Sequence, residues 1–162
     1  MLFTGIIRNA EEKDLPAIQD ILALYWSGDL RERFYSRIRD TILQTPEMVE
    51  QLYRCFVAEE NGEVVGMALL RKVQEFMRPY TSTNNAAEFY ISGAKYKGRG
   101  IGRALRDARI REAKRLGFNE ILLYSSESHQ DAWGFHDNSD FKRIGVVLAP
   151  NGEPGTVWRL LL

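Results

Sequence analysis

The sequence has 162 residues, of which 44% are hydrophobic, and its 22 basic and 22 acidic side chains cancel at neutral pH. That length and apolar content suit a single folded domain with a full core and exclude a disordered chain. The charge balance argues against a nucleic-acid or anionic-membrane binder, and the single cysteine, Cys55, excludes an internal disulfide or a cysteine-based zinc site.

No run of 18 apolar residues occurs, so no membrane span is expected. The apolar start Met1–Ile7 is closed by Arg8 and is too short for a secretory leader, which predicts a cytoplasmic protein. Gly5–Arg8 reads as a short strand. Asp14 reads as a helix N-cap with Pro16 in the first turn, and Leu15, Ile18, Ile21, Leu22 and Tyr25 recur at helical spacing. Gly28-Asp29 breaks that helix. A second is predicted over 30–43, and Thr45-Pro46-Glu47 starts a short helical piece. Cys55–Ala58 and Val64–Leu70 read as strands joined at Asn61-Gly62, where both positions accept positive φ. The polar segment Gln74–Asn85 reads as a mobile loop. Ala87–Ser92 is the next strand.

A glycine-rich stretch follows, Tyr96-Lys97-Gly98-Arg99-Gly100-Ile101-Gly102-Arg103, and opens a long amphipathic helix that ends at Leu116-Gly117. Its inward face would carry Ile101, Ala104, Leu105, Ala108 and Leu116, with Gly117 at C′. Glycines let a ligand approach the backbone. The first amides of the helix have no intrahelical partner. The helix dipole, Lys97, Arg99 and Arg103 add positive charge, which makes an anion site suited to a phosphate or pyrophosphate. The dinucleotide fingerprint fails because Arg103 stands in place of its third glycine, and no P-loop Gly-Lys-Ser/Thr occurs. Further on, Glu120–Tyr124 reads as a buried strand. Ser128–Asn138 reads as a helix with Ser128 and Asp131 as a capping box and Ala132 and Phe135 inward. Strands Arg143–Leu148 and Thr156–Leu161 end the chain.

Lys97-Gly98-Arg99-Gly100-Ile101-Gly102 resembles the acetyl-CoA pyrophosphate loop of the GNAT superfamily of N-acetyltransferases, Gln/Arg-x-x-Gly-x-Gly/Ala, with Lys in the first place. The order of elements resembles the GNAT fold over nearly the whole chain. The resemblance implies an α+β fold, with a mixed, mostly antiparallel central sheet of about seven strands flanked by about four helices, in one domain spanning 1–162. It implies acetyl transfer from acetyl-CoA to a primary amine by direct attack, with acetyl-CoA as cosubstrate and no metal. The amine, whose pKa is near ~10, must lose a proton first, and the departing thiolate benefits from a proton donor.

The resemblance places the pyrophosphate on Lys97, Gly98, Arg99, Gly100, Ile101, Gly102 and Arg103. Backbone groups of Tyr90, Ile91 and Ser92 would hold the pantetheine arm and polarise the thioester, and Glu88 would be the base. The family's Asn-x-x-Ala-x-x-Phe-Tyr run is matched here at Ala132 and Phe135. His129 replaces the pantetheine-contacting Asn, and His136 replaces the Tyr proposed as general acid; an imidazole can also protonate a thiolate. The two histidines lie seven apart on one predicted helix, not the four usual for zinc. The acceptor, a small-molecule or peptide amine, would meet Tyr25, Trp26, Asp29, Glu32, Tyr35, Asn151 and Glu153. Alternatives are a non-catalytic acyl-CoA-binding regulator of the same fold, a longer-chain or hydroxyl acyltransferase, and a nucleic-acid binder using Lys95–Arg115. Edge strands could pair two copies into a homodimer.

Overall fold

The computed structural model describes residues 2–162. Its strands are β1 (Ile6–Asn9), β2 (Arg54–Glu60), β3 (Glu63–Lys72), β4 (Ala86–Ala94), β5 (Glu120–Ser126), β6 (Lys142–Leu148) and β7 (Pro154–Leu161). Its helices are α1 (Leu15–Tyr25), α2 (Gly28–Leu43), α3 (Pro46–Glu50), α4 (Ile101–Arg115) and α5 (Trp133–Asp137). The strands form one seven-stranded mixed sheet in the order β1-β2-β3-β4-β5-β7-β6. β4 and β5 run parallel, whereas β1–β2, β2–β3, β5–β7 and β7–β6 are antiparallel. The expected α+β class with a mostly antiparallel sheet is what forms. Among the described residues no helix is long and apolar enough to cross a membrane.

The chain divides into two compact units, the residues up to Arg71 with Ile91–Glu112, and Lys72–Tyr90 with Ala113–Leu162. In the first unit α1 buries Ile18, Ile21 and Leu22, the stripe its spacing predicts. Asp14 does not cap α1 with its side chain. Its carboxylate instead takes the Glu11 amide and both Nη atoms of Arg8, each at 2.8 Å, because a 3₁₀ turn, Glu12–Asp14, precedes the helix. Asn61 and Gly62 have φ of 53° and 77°, as the hairpin signal requires. Gly66 on β3 has a different task. A Cβ there would lie 2.6 Å from Ile101 Cγ2, so its absence lets α4 sit close on the strand.

The core beside α4 gathers Ala58, Val65, Ala68, Ile101 and Leu105, with Phe3 against it. The inward stripe of α4 differs from the expected one at its far end. Leu116 is only partly buried, while Arg109 and Ala113 are buried. The Arg109 guanidinium donates to the Leu69 carbonyl at 3.2 Å. Burial pushes its pKa down to about 9, with Arg106 adding to the effect, so it stays charged at neutral pH. Glu112, which interrupts the apolar pattern, pairs with Arg54 at 3.1 Å.

In the second unit the core is Val73, Met77, Ala86, Leu122 and Val157. The segment read as a mobile loop is not all loop. It holds a 3₁₀ turn, Glu75–Tyr80, with Met77 fully buried. The Tyr80 hydroxyl donates to Val146 O at 2.7 Å, and its ring lies where a Cβ on Gly145 would fall, at 2.6 Å. The fully buried Glu120 carboxylate then accepts the amides of Ser82 (2.8 Å) and Thr83 (3.0 Å) and the Ser82 hydroxyl (2.6 Å).

The stretch read as one helix over Ser128–Asn138 is two pieces, a 3₁₀ stretch Glu127–Ala132, itself kinked at His129 with φ −120° and ψ 35°, and the short α5. Ala132 and Phe135 point outward, contrary to expectation. Trp133 and His136 turn toward Trp158 instead, with ring centroids 5.6 and 4.9 Å away. Asp137 fixes this arrangement by binding Arg143 at 2.8 and 2.6 Å and the Trp158 indole N–H at 3.0 Å.

Candidate functional site

In the first unit the glycine loop closes as the sequence predicts, but its glycines do different work. Gly98 and Gly100 sit at φ 73° and 83°, a region that side chains disfavour. Gly102 lies inside α4. The Ala104 amide bonds the Gly100 carbonyl at 3.1 Å, so the amides of Ile101, Gly102 and Arg103 open the helix without a partner inside it. Lys97, just before the turn, and Arg103, in the first turn of α4, are both exposed. These donors and charges fit a diphosphate. At the end of β4, Ile91 is buried and Ser92 exposed. Gly93 then allows α1 close: a Cβ there would lie 3.0 Å from Ile21 Cγ2 and 3.1 Å from the Tyr25 ring.

Arg99 does not face the loop mouth with its charge. Its Nη2 donates to the Glu60 carboxylate at 2.5 Å, and its guanidinium lies over the Tyr96 ring, 4.9 Å from the centroid. Its carbonyl accepts the Phe3 amide at 2.6 Å. Nothing in the sequence marks Glu60 or Phe3–Thr4 as neighbours of this loop. The nearest signal is that Glu60 directly precedes the Asn61-Gly62 turn, which fixes where β2 ends.

In the second unit Glu88 lies on β4 opposite Leu122 of β5, only 2% exposed, and accepts the Gln74 amide at 3.3 Å. Tyr90, two residues on, is half-buried. His129 and His136 do not share a helix. His129 Nδ1 lies 3.0 Å from Ser126 Oγ and 3.2 Å from Ser128 Oγ, so Ser128 serves the imidazole and not a helix cap. The His136 ring packs between Phe135 and Trp158, at 5.9 and 4.9 Å. Among the described residues no group of three or more His, Cys, Asp or Glu is placed to hold a metal ion.

The residues expected to meet the acceptor divide as well. Tyr25 spends its hydroxyl on Ala94 O at 2.6 Å. Trp26 packs edge-on against Phe34 at 5.1 Å, which joins α1 to α2. Glu32 and Tyr35, with Gln19, Arg31 and Ser36, line an open groove of about 290 Å³. In the other unit the Asn151 side chain accepts the Glu153 amide at 3.1 Å, and Glu153 faces Ser128 Oγ at 3.4 Å.

The sequence model of the Acetyltransferase (GNAT) family matches residues 15–141. That span is most of the chain, and the chain belongs to this family. Its fold is similar to that of a protein assigned to the GNAT family from Desulfovibrio desulfuricans, with 14% identity and a TM-score of 0.80, covering 98% of this chain and 99% of that one. It is similar to the PaiA N-acetyltransferase of Thermoplasma acidophilum in complex with coenzyme A, with 16% identity, a TM-score of 0.69, and 98% and 99% covered. It is also similar to the ribosomal-protein-S18-alanine N-acetyltransferase of Escherichia coli, with 19% identity, a TM-score of 0.68, and 98% and 94% covered. No curated protein sequence matches the chain.

Proposed function

We propose that this chain is a cytoplasmic, acetyl-CoA-dependent N-acetyltransferase that works as a single 162-residue domain and transfers acetyl to a primary amine by direct attack. The observation that carries the reading is the loop: two positive-φ glycines turn the backbone into α4, whose first amides have no partner within the helix, and Lys97 and Arg103 lie close by in sequence and are exposed. Acetyl-CoA supplies the activated acyl group and its thiol leaving group. The amides of 98–103 hold its pyrophosphate, and Arg99 contributes through its main chain only. Backbone groups of Tyr90, Ile91 and Ser92 orient the pantetheine arm, and one of their amides stabilises the developing oxyanion. His129 takes the place of an asparagine against the same arm.

Glu88 accepts the proton that leaves the amine. Its burial makes relay through a water the route, since its carboxylate already holds the Gln74 amide. His136 donates a proton to the departing thiolate. The acceptor is a small-molecule or peptide amine. The Escherichia coli neighbour's name, with its ribosomal-protein alanine, supports the peptide side of that class.

Thiol release measured with a disulfide reagent against a panel of amines tests this. The reading expects amine-dependent release, whereas a non-catalytic CoA-binding regulator would bind coenzyme A and release nothing. The one cysteine does not interfere: Cys55 is buried, and burial pushes its thiol up to about 12.

A further inference from the structure

We propose that Glu60 is a positioning residue for the phosphate loop. This rests on the reading above that the loop holds acetyl-CoA. Glu60 ends β2 and is 7% exposed, yet its carboxylate carries three contacts. Oε1 takes Arg99 Nη2, and Oε2 takes the Thr4 amide at 2.8 Å and the Thr4 hydroxyl at 3.4 Å. Arg99 stands between the two positive-φ glycines. Its side chain is therefore tied to β2 and its carbonyl to the Phe3 amide at 2.6 Å, so the peptides on either side of it cannot rotate independently. Two further details let the segment before β1 reach this point. A Cβ on Gly5 would collide with Glu59 O, so only glycine passes there. Phe3 packs on the cluster that contains Ile101, the first residue of α4.

A second carboxylate braces the same loop from outside. Glu63, across the hairpin turn, accepts Lys95 Nζ at 3.2 Å and the Tyr96 hydroxyl at 3.1 Å, and Tyr96 is the ring under Arg99. Both carboxylates lie on the β2–β3 hairpin, at its two facing end positions. The consequence is functional. Arg99 is neutralised by Glu60 and held back, so anion binding falls to amides whose direction is set before the ligand arrives. Preorganised donors lose little on binding, and donors that must first be ordered lose affinity.

The test is coenzyme A binding by calorimetry, with thermal unfolding alongside, on the whole chain. Glu60→Gln removes the charge and is expected to weaken coenzyme A about tenfold. In turnover KM for acetyl-CoA rises by a similar factor while kcat changes less than about twofold. The paired variant Glu60→Met with Arg99→Met separates positioning from stability, because replacing both members of a buried ion pair with apolar side chains of similar size is often neutral for folding. It is expected to unfold near the wild-type temperature and still bind coenzyme A at least about fivefold more weakly. Restored affinity in the paired variant overturns the proposal, as does unchanged or tighter binding in Glu60→Gln. If Glu60→Gln fails to fold, the paired variant decides alone. A wild-type chain that shows no coenzyme A binding defeats the acetyltransferase reading itself, a distinct result.

Discussion

At the scale of single residues, the three glycines of the loop separate into two kinds. Gly98 and Gly100 have conformations that L-residues disfavour, and open space surrounds both; the nearest atom to a Cβ on Gly100 is Leu2 Cδ2 at 4.0 Å. The cost of a side chain there is therefore in the backbone, about 1–2 kcal/mol for a left-handed residue and more for a β-branched one. Gly100→Val is expected to weaken coenzyme A about tenfold or more by calorimetry. Gly102 has helical dihedrals, and replacing it with alanine should add up to about 1 kcal/mol of helix stability; any loss of affinity in Gly102→Ala would then report ligand contact alone. His136 makes a second residue-scale prediction. If it protonates the thiolate, His136→Phe lowers turnover at saturating acetyl-CoA about a hundredfold, and an unchanged rate removes it from that role. Its packing against Trp158 at 4.9 Å means a phenyl ring keeps the shape of the site.

At the scale of elements, the segment 74–85 shows how a polar run becomes ordered. Its composition, with Pro79 and a Thr-Ser-Thr-Asn-Asn run, is that of a loop. What fixes it is the buried Glu120 at the start of β5, a residue far along the chain that accepts the Ser82 and Thr83 donors. Replacing Glu120 with alanine would take the shared acceptor from those donors, at a cost of about 1–3 kcal/mol for each one that neither water nor another group satisfies. Glu120→Ala is expected to lower stability by about 3 kcal/mol and to open 80–85 to proteolysis ahead of the rest. Resistance equal to wild type would show that Tyr80, through Val146 and Gly145, holds the segment unaided. The same logic explains why the helix read over 128–138 broke. The Ser128 hydroxyl is taken up by Ser126 Oγ at 2.7 Å and the His129 ring at 3.2 Å, and Asp137 is taken up by Arg143 and Trp158.

At the scale of the whole molecule, stability against acid rests partly on Asp14. The Arg8 guanidinium holds its carboxyl below the usual range, and the Glu11 amide adds to this, against the opposing effect of burial. A carboxyl lowered in the folded state contributes stability that is present above its unfolded pKa, near ~3.9, and is lost as pH falls through the folded value. The stability difference between wild type and Asp14→Asn is expected to be constant at neutral pH and to shrink once pH drops below about 4. A difference that persists unchanged at pH about 2 would mean that the carboxylate charge is not what matters.

The class of fold and the glycine turn that opens α4 can be read from the chain alone. Both rest on local signals: the period of apolar residues in α1, the Asn61-Gly62 turn, and glycines whose backbone freedom is a property of the residue alone. Long-range contacts settled what depended on a distant partner. They paired Arg99 with Glu60, put Arg109 in the core, tied Ser82 and Thr83 to Glu120, and set His129 and His136 on separate pieces of backbone. A charged side chain follows the strongest counter-charge or acceptor within reach, and which group lies within reach is known only after the strands have paired.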